Sequence, residues 1–322
     1  MNDRNSLAGV ASELALALRD EVRPLLGRHE GRGHVRGAQE GSDGGGDVTF
    51  EIDERAESFM ERFLSERAPD VAFYSEDRGL VTPNGDARWV LIVDPIDGTR
   101  PAMAGLESAC VSVALAPLES EPRMGDVEVG CIAEIKSGTL YRAERGGGVD
   151  PLPSLSQNRD LDRMFWSYGL RGRPARAMAE VLGDLIDTSS VGGATFDLGS
   201  AAYAMTRVAS GQLDAYVEPG PRMVVDVPGM REEFQRVGGG AILNNSPYDL
   251  AAAALCLEEA GAVVTDAYGK PIGGRPLLGS SAEFQISCVV AANQDLHREI
   301  CTAIDAGVER LTRAVGAAGS NR

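Results

Sequence analysis

From Leu7 onward the apolar positions Leu7, Val10, Leu14, Leu18, Val22 and Leu25 step by three and four, which is the period of an amphipathic helix. The pattern predicts a first helix that ends near Gly27. Residues 28–46 carry Gly, His and Arg without periodicity and read as a loop or hairpin of low order. Ile52, Ala56, Phe59, Met60, Phe63 and Leu64 restore the helical period, with Asp53 placed as the N-cap of that second helix. Short apolar runs predict strands at Val71–Tyr74, Trp89–Val93, Cys110–Leu115, Val129–Ile135, Thr139–Ala143, Asp214–Val217 and Gln285–Ala291. Gly199–Ser210 and Leu250–Ala260 read as small-residue helices. The mixture is α+β, and a cluster of Gly and Pro at Gly146–Gln157 marks the only boundary, dividing a 1–150 lobe from a 151–322 lobe.

Length and composition narrow the class. A chain of 322 residues with 43% hydrophobic and 25% charged residues supports a large buried core. The formal charge of −17 repels nucleic acid and anionic lipid, so neither is expected as a partner. Cys110, Cys131, Cys256, Cys288 and Cys301 are odd in number and scattered through apolar runs, as expected of reduced thiols in the cytoplasm. No run approaches the ~18 apolar residues of a membrane span. His29 and His34 fall in the aperiodic loop and His297 stands alone in a helix-like C-terminal stretch, so histidine-dependent chemistry is not expected.

The sharpest chemical signal is Asp94-Pro95-Ile96-Asp97-Gly98-Thr99, directly after an apolar strand. Two carboxylates in so tight a turn repel by roughly 4 kcal/mol at ~4 Å and an effective dielectric near 20, and a divalent ion reverses the sign. Oxygen donors suit magnesium first and manganese second. Gly98 permits close backbone approach, and Thr99-Arg100-Pro101 can open a helix whose free amides face an anion. On residues alone, a strand-ending turn with capping aspartates remains the alternative.

Four ordered segments carry a resemblance. They are Asp47-Val48-Thr49-Phe50-Glu51-Ile52-Asp53, Tyr74-Ser75-Glu76-Asp77, the Asp94–Thr99 signature, and Asp249-Leu250-Ala251-Ala252 followed by Glu258 to Asp266. Together they make the chain similar to the inositol monophosphatase family of magnesium-dependent phosphatases, within the fructose-1,6-bisphosphatase-like superfamily. The resemblance implies a layered αβαβα sandwich, a homodimer, lithium inhibition and two or three Mg2+ ions. By the same resemblance Glu76, Asp94 and the Ile96 carbonyl hold one ion, and Asp94, Asp97 and Asp249 hold a second. Glu76 reaches a third. Thr99, bonded to Asp53, orients the attacking water with Asp77 in support, while the Gly98 and Thr99 amides grip phosphate. Asp97, Ala201 and Glu218 fall on positions that meet the substrate. A small phosphorylated polyol or sugar is the implied substrate: inositol monophosphate first, with fructose-1,6-bisphosphate, histidinol phosphate and adenosine 3′,5′-bisphosphate as rivals. A catalytically silent homologue that binds metal or a partner protein is the other class.

Each residue also has a structural alternative. Asp53, Thr99 and Asp249 can serve as helix caps, Glu76 and Asp77 as a solvated strand end, and Glu218 as a surface glutamate before Pro219-Gly220. The chain departs from the family in having no lysine before Lys136, in carrying Tyr248-Asp249 where relatives have Trp-Asp, and in setting Glu218 and Asp249 31 positions apart, where the family connection is much shorter. The extra piece, near 221–247, is expected either to reshape the leaving-group pocket or to be a surface elaboration or dimer contact.

Overall fold

The computed structural model describes residues 4–28, 33–36, 49–83 and 85–319. The chain begins with α1 (Arg4–Val22), then a short pair β1 (His34–Arg36) and β2 (Thr49–Phe50), then α2 (Glu51–Arg67). Strands β3 (Ala72–Ser75), β4 (Gly79–Val81) and β5 (Trp89–Asp97) lead to the one-turn-and-a-half helix α3 (Thr99–Ala104). β6 (Cys110–Pro117), β7 (Val129–Glu134), β8 (Leu140–Glu144) and β9 (Gly148–Asp150) complete a seven-stranded sheet in the order β4-β3-β5-β6-β7-β8-β9.

The second half supplies β10 (Phe165–Tyr168), α4 (Ala175–Thr188), β11 (Ala194–Phe196), α5 (Ala201–Ala209) and β12 (Ala215–Glu218). It continues with α6 (Gly220–Asp226), α7 (Met230–Val237), α8 (Pro247–Ala260), β13 (Val263–Thr265), β14 (Cys288–Ala291) and α9 (Gln294–Gly319). Its strands form a five-stranded sheet ordered β11-β10-β12-β14-β13.

Strand alternation decides the layering, because successive side chains point to opposite faces. Leu91 and Val93 of β5, with Val111, Val113 and Leu115 of β6, pack on α1 and α2. Val90 and Ile92, with Cys110 and Ala114, face the other way, onto α5 and α8. In the second sheet Tyr216 and Val290 also face α5 and α8, whereas Val217, Val289 and Ala291 pack with α4, α7 and α9. The result is five layers, α1/α2, sheet, α5/α8, sheet, α4/α6/α7/α9, which is the αβαβα sandwich that the resemblance implies. Both helices of the middle layer come from the second half of the chain. Apart from Asp249, α8 is buried from Pro247 to Leu257, and its alanines let it lie close to the sheet. A Cβ on Gly130 of β7 would stand 2.5 Å from the Ala252 carbonyl.

Three sequence expectations need correction. Asp53 is not the N-cap of α2; that position is Phe50, and Asp53 sits three residues inside, where Oδ2 accepts the Phe50 N–H at 2.9 Å. The piece near 221–247 is more than a surface elaboration: it folds into α6 and α7, and Met223, Val227, Met230 and Phe234 join the core over the second sheet. Glu218 is not a surface residue, being 0% exposed. The loop reading of 28–46 lies mostly outside the described residues, as do His29, Asp47 and Val48. Within it, His34–Arg36 pairs with Thr49–Phe50 as a strand.

Candidate active site

β5 runs through the middle of its sheet and ends inside the molecule, so its last residues are carried to a cleft beside α2, α3 and α8. The register of β5 against β6 breaks between Asp94 and Asp97, and this irregularity aims both carboxylates inward. Asp94 Oδ1 accepts the Ile96 N–H at 3.0 Å. Asp97 Oδ2 accepts from the Ser200 hydroxyl at 2.7 Å and from the Ala202 N–H at 2.6 Å, which ties it to the start of α5. Gly98 has φ 94°, and a Cβ there would be 2.7 Å from the Ser108 carbonyl and 2.8 Å from Ser200 Cβ, so only glycine allows the turn into α3.

Asp249 arrives from the other half of the chain. It sits three residues into α8, with Oδ2 accepting the Ser246 N–H at 2.6 Å. Capping and site placement are thus the work of one side chain. Carboxylate oxygens of Asp94, Asp97 and Asp249 lie within 4.8 Å of one another. Burial pushes Asp94 well above the usual carboxylate range, and Asp97, Asp249 and Glu76 push it further. Asp249 is raised by burial and then by Asp97 and Glu76, with Arg171 acting against the rise. Asp97 is also raised by burial, though its hydrogen bonds oppose this. An all-oxygen cluster that resists ionisation until a cation joins it fits a hard divalent ion.

Asp53 and Thr99 form the second group. The Thr99 hydroxyl donates to Asp53 Oδ1 at 2.9 Å and lies 3.2 Å from the Ile96 carbonyl. Burial pushes the Asp53 carboxyl up to about 8, although the Phe50 N–H and Thr99 bonds favour its charged form. Asp77 accepts from the Thr49 hydroxyl at 2.7 Å. Glu76 and Asp77 line the same cavity as Asp53, Asp94, Asp97, Gly98, Thr99 and Asp249, but Glu76 is not part of the tight three-carboxylate cluster.

A second cavity continues from the first, sharing Asp97, Arg171, Asn244 and Asp249, and reaches Ala201, Arg173, Tyr216 and Asn245. Ala201, which the resemblance places near the substrate, lines this second cavity. Glu218 does not line either cavity; it is buried behind the second one, ion-paired to Arg173 and accepting the Gly220 N–H at 2.8 Å. Sequence reasoning missed Arg171, Arg173, Glu57, Ser200 and Asn244. The signals present were Arg171-Gly172-Arg173 just after a strand, and Asn244-Asn245-Ser246 just before the Asp249 segment.

The model of the inositol monophosphatase family matches residues 4–309. The chain belongs to the inositol monophosphatase family. It is 29% identical over 309 residues to the fructose-1,6-bisphosphatase/inositol-1-monophosphatase of Methanothermobacter thermautotrophicus, covering 92% of this chain and 96% of that protein. It is 29% identical over 280 residues to the inositol-1-monophosphatase of Mesorhizobium japonicum, covering 84% of this chain and 88% of the relative. The solved structure of the Thermotoga maritima IMPase shares the fold, with a TM-score of 0.65 at 21% identity over 94% of this chain and 98% of that one.

Proposed function

We propose that this chain is a magnesium-dependent phosphatase that hydrolyses a small phosphomonoester, inositol monophosphate or a related sugar or polyol phosphate. The single observation that carries the proposal is the meeting of Asp94, Asp97 and Asp249, from two halves of the chain, beside the bonded pair Thr99–Asp53. Glu76, Asp94 and the Ile96 carbonyl would hold one ion, and Asp94, Asp97 and Asp249 a second, with Glu76 also available to a third. Bound magnesium, or manganese in its place, would offset the carboxylate charge, attract a dianionic ester and make water more acidic.

The protein's own groups do the positioning. Because the Thr99 proton is directed at Asp53, the lone pairs of the hydroxyl are left to accept from a water, which fixes that water's direction. Asp53 in turn is held by the Phe50 N–H, so the pair is built on the rigid start of α2. Asp77, tied to Thr49, steadies the strand end beside it. The Gly98 and Thr99 amides at the turn into α3 would receive phosphate oxygens. Ala201, in the second cavity, would meet the leaving group. No side-chain nucleophile is required by this arrangement.

Fructose-1,6-bisphosphate is a second substrate reading, favoured by the double name of the Methanothermobacter relative. Five free cysteines, four of them buried, agree with a reducing compartment such as the cytoplasm. Homodimer assembly is part of the proposal and is checked by light scattering. The test of function is phosphate release from a panel of monoesters with and without Mg2+. Magnesium-dependent turnover with a polyol phosphate preferred is expected; absence of turnover on every ester in the panel would leave a silent metal-binding homologue instead.

A further inference from the structure

β3 and β4 form a hairpin at the edge of the seven-stranded sheet, with Ser75 opposite Gly79 and with Glu76, Asp77 and Arg78 across its tip. Glu76 and Asp77 line the cavity of the three-carboxylate cluster, whereas the Arg78 side chain lies on α2. Its guanidinium donates to both Glu54 oxygens, at 2.7 and 3.3 Å, and to Glu61 Oε1 at 2.8 Å. Glu54 and Glu61 are two turns apart on one face of α2, and Glu57 stands between them. Glu57 is buried and accepts from the Ser75 hydroxyl at 2.9 Å, while the Ser75 oxygen accepts the Arg78 N–H at 3.3 Å. Both ends of the tip are therefore tied to the helix that carries Asp53.

Asp94, Asp97 and Asp249 are each held by a backbone N–H, from Ile96, Ala202 and Ser246 respectively. Glu76 stands outside that cluster, and its place follows from where the hairpin tip is set. Phe73 and Val81 fix the base of the hairpin by packing in the same apolar core as α2. The tip is fixed by charge-assisted bonds, and an arginine that spans both oxygens of one carboxylate sets orientation as well as position. Charge by itself argues the other way. Arg78 is a cation near a site suited to cations, so its field disfavours a divalent ion there. A clamp and a bare charge thus predict opposite signs when the guanidinium is removed.

We propose that Arg78 is a positioning residue for magnesium: by clamping the β3–β4 tip to Glu54 and Glu61 of α2, it holds Glu76 where an ion is bound. The inference rests on the reading above that Glu76 is an ion ligand. Loss of a group that orients a metal ligand weakens metal binding by about ten-fold or more. Arg78→Met keeps an apolar stem over α2 and removes the three bonds, and Arg78→Lys keeps the charge but not the fork. Calorimetric titration with Mg2+ alone, at one ionic strength, compares both variants with the parent, and thermal unfolding without Mg2+ checks that each is folded. The Mg2+ concentration for half-saturation is expected to rise about ten-fold in Arg78→Met and about three-fold in Arg78→Lys. Unchanged or tighter binding in Arg78→Met overturns the proposal. Should Arg78→Met fail to fold, Arg78→Lys decides, and binding equal to the parent's overturns it.

Arg55→Met is the matched control, because it takes a cation from the same helix where Arg55 is exposed and pairs with Glu21. It is expected to leave Mg2+ binding within about two-fold of the parent; weakening equal to that in Arg78→Met overturns the clamp. Phosphate release gives a second arm. Arg78→Met is expected to need about ten-fold more Mg2+ for half-maximal rate, with kcat at saturating Mg2+ within about two-fold of the parent. A loss of kcat that saturating Mg2+ does not restore overturns the proposal. A parent protein that binds Mg2+ but releases no phosphate from any ester fails the functional reading, and the titration still decides the role of Arg78. A parent that binds no Mg2+ overturns both.

Discussion

The pair Asp53 and Thr99 shows how little side-chain freedom the candidate site leaves. Each Asp53 oxygen has its own donor, the Phe50 N–H on one and the Thr99 hydroxyl on the other. Thr99→Ala removes the hydroxyl but not the helix start, so kcat is expected to fall by roughly 10²–10³ with KM little changed, measured by steady-state phosphate release. Asp94→Asn keeps an acceptor for the Ile96 N–H and so keeps the turn, but it removes a charge from the three-carboxylate cluster. Turnover is expected to be lost, together with the rise in melting temperature that Mg2+ gives the parent. A variant with near-native rate would overturn the metal assignment. At this scale the sequence was most informative, because spacing of Asp94, Asp97 and Thr99 within six residues leaves a turn few ways to point them. It was least informative at Glu218, whose buried partner Arg173 lies 45 positions away.

Among elements, α1, α2, α8 and the strands β5 to β7 were legible, whereas β10, α4, α6 and α7 were not. β5, β6 and β7 are continuous apolar runs because both faces are covered, and α1 shows an apolar stripe because only one face is. α6 and α7 escaped notice: their apolar residues are few, and Pro221, Gly229 and Gly238–Gly240 mask the period. The ion pair Arg173–Glu218 joins the turn after β10 to the end of β12. Arg173→Leu leaves Glu218 buried without its cation, and chemical denaturation is expected to show a loss of about 3–5 kcal/mol. A loss below about 1 kcal/mol would show that Glu218 is neutral or solvated.

The whole molecule places many carboxylates in one half-buried cleft, and its stability should therefore depend on pH and on divalent ions together. Asp53 and Glu57 are both raised by burial to about 8, from ordinary values of 3.8 and 4.5. In the metal-free protein the folded state then holds more protons than the unfolded chain between about pH 4 and 8. Its stability is greatest at the acid end of that window and falls as pH rises through it. Added Mg2+ is expected to raise the melting temperature more at pH 8 than at pH 6, since at pH 8 fewer protons compete for the carboxylates. Calorimetric scans at the two pH values check this; an equal or smaller shift at pH 8 would count against cation binding at this cluster.

By itself the sequence determined the local chemistry: which strands are buried, which turns carry carboxylates, and that an acidic motif ends an apolar strand. Those properties depend on neighbours a few residues apart, so they survive without knowledge of the fold. Tertiary structure alone decided that Arg173 pairs with Glu218; it also brought Asp249, which the family resemblance grouped with Asp94 and Asp97, to within 4.8 Å of them. The first depends on the pairing of β10 with β12 in the second sheet, and the second on the packing of α8 between the two sheets, which brings residues from separate layers together.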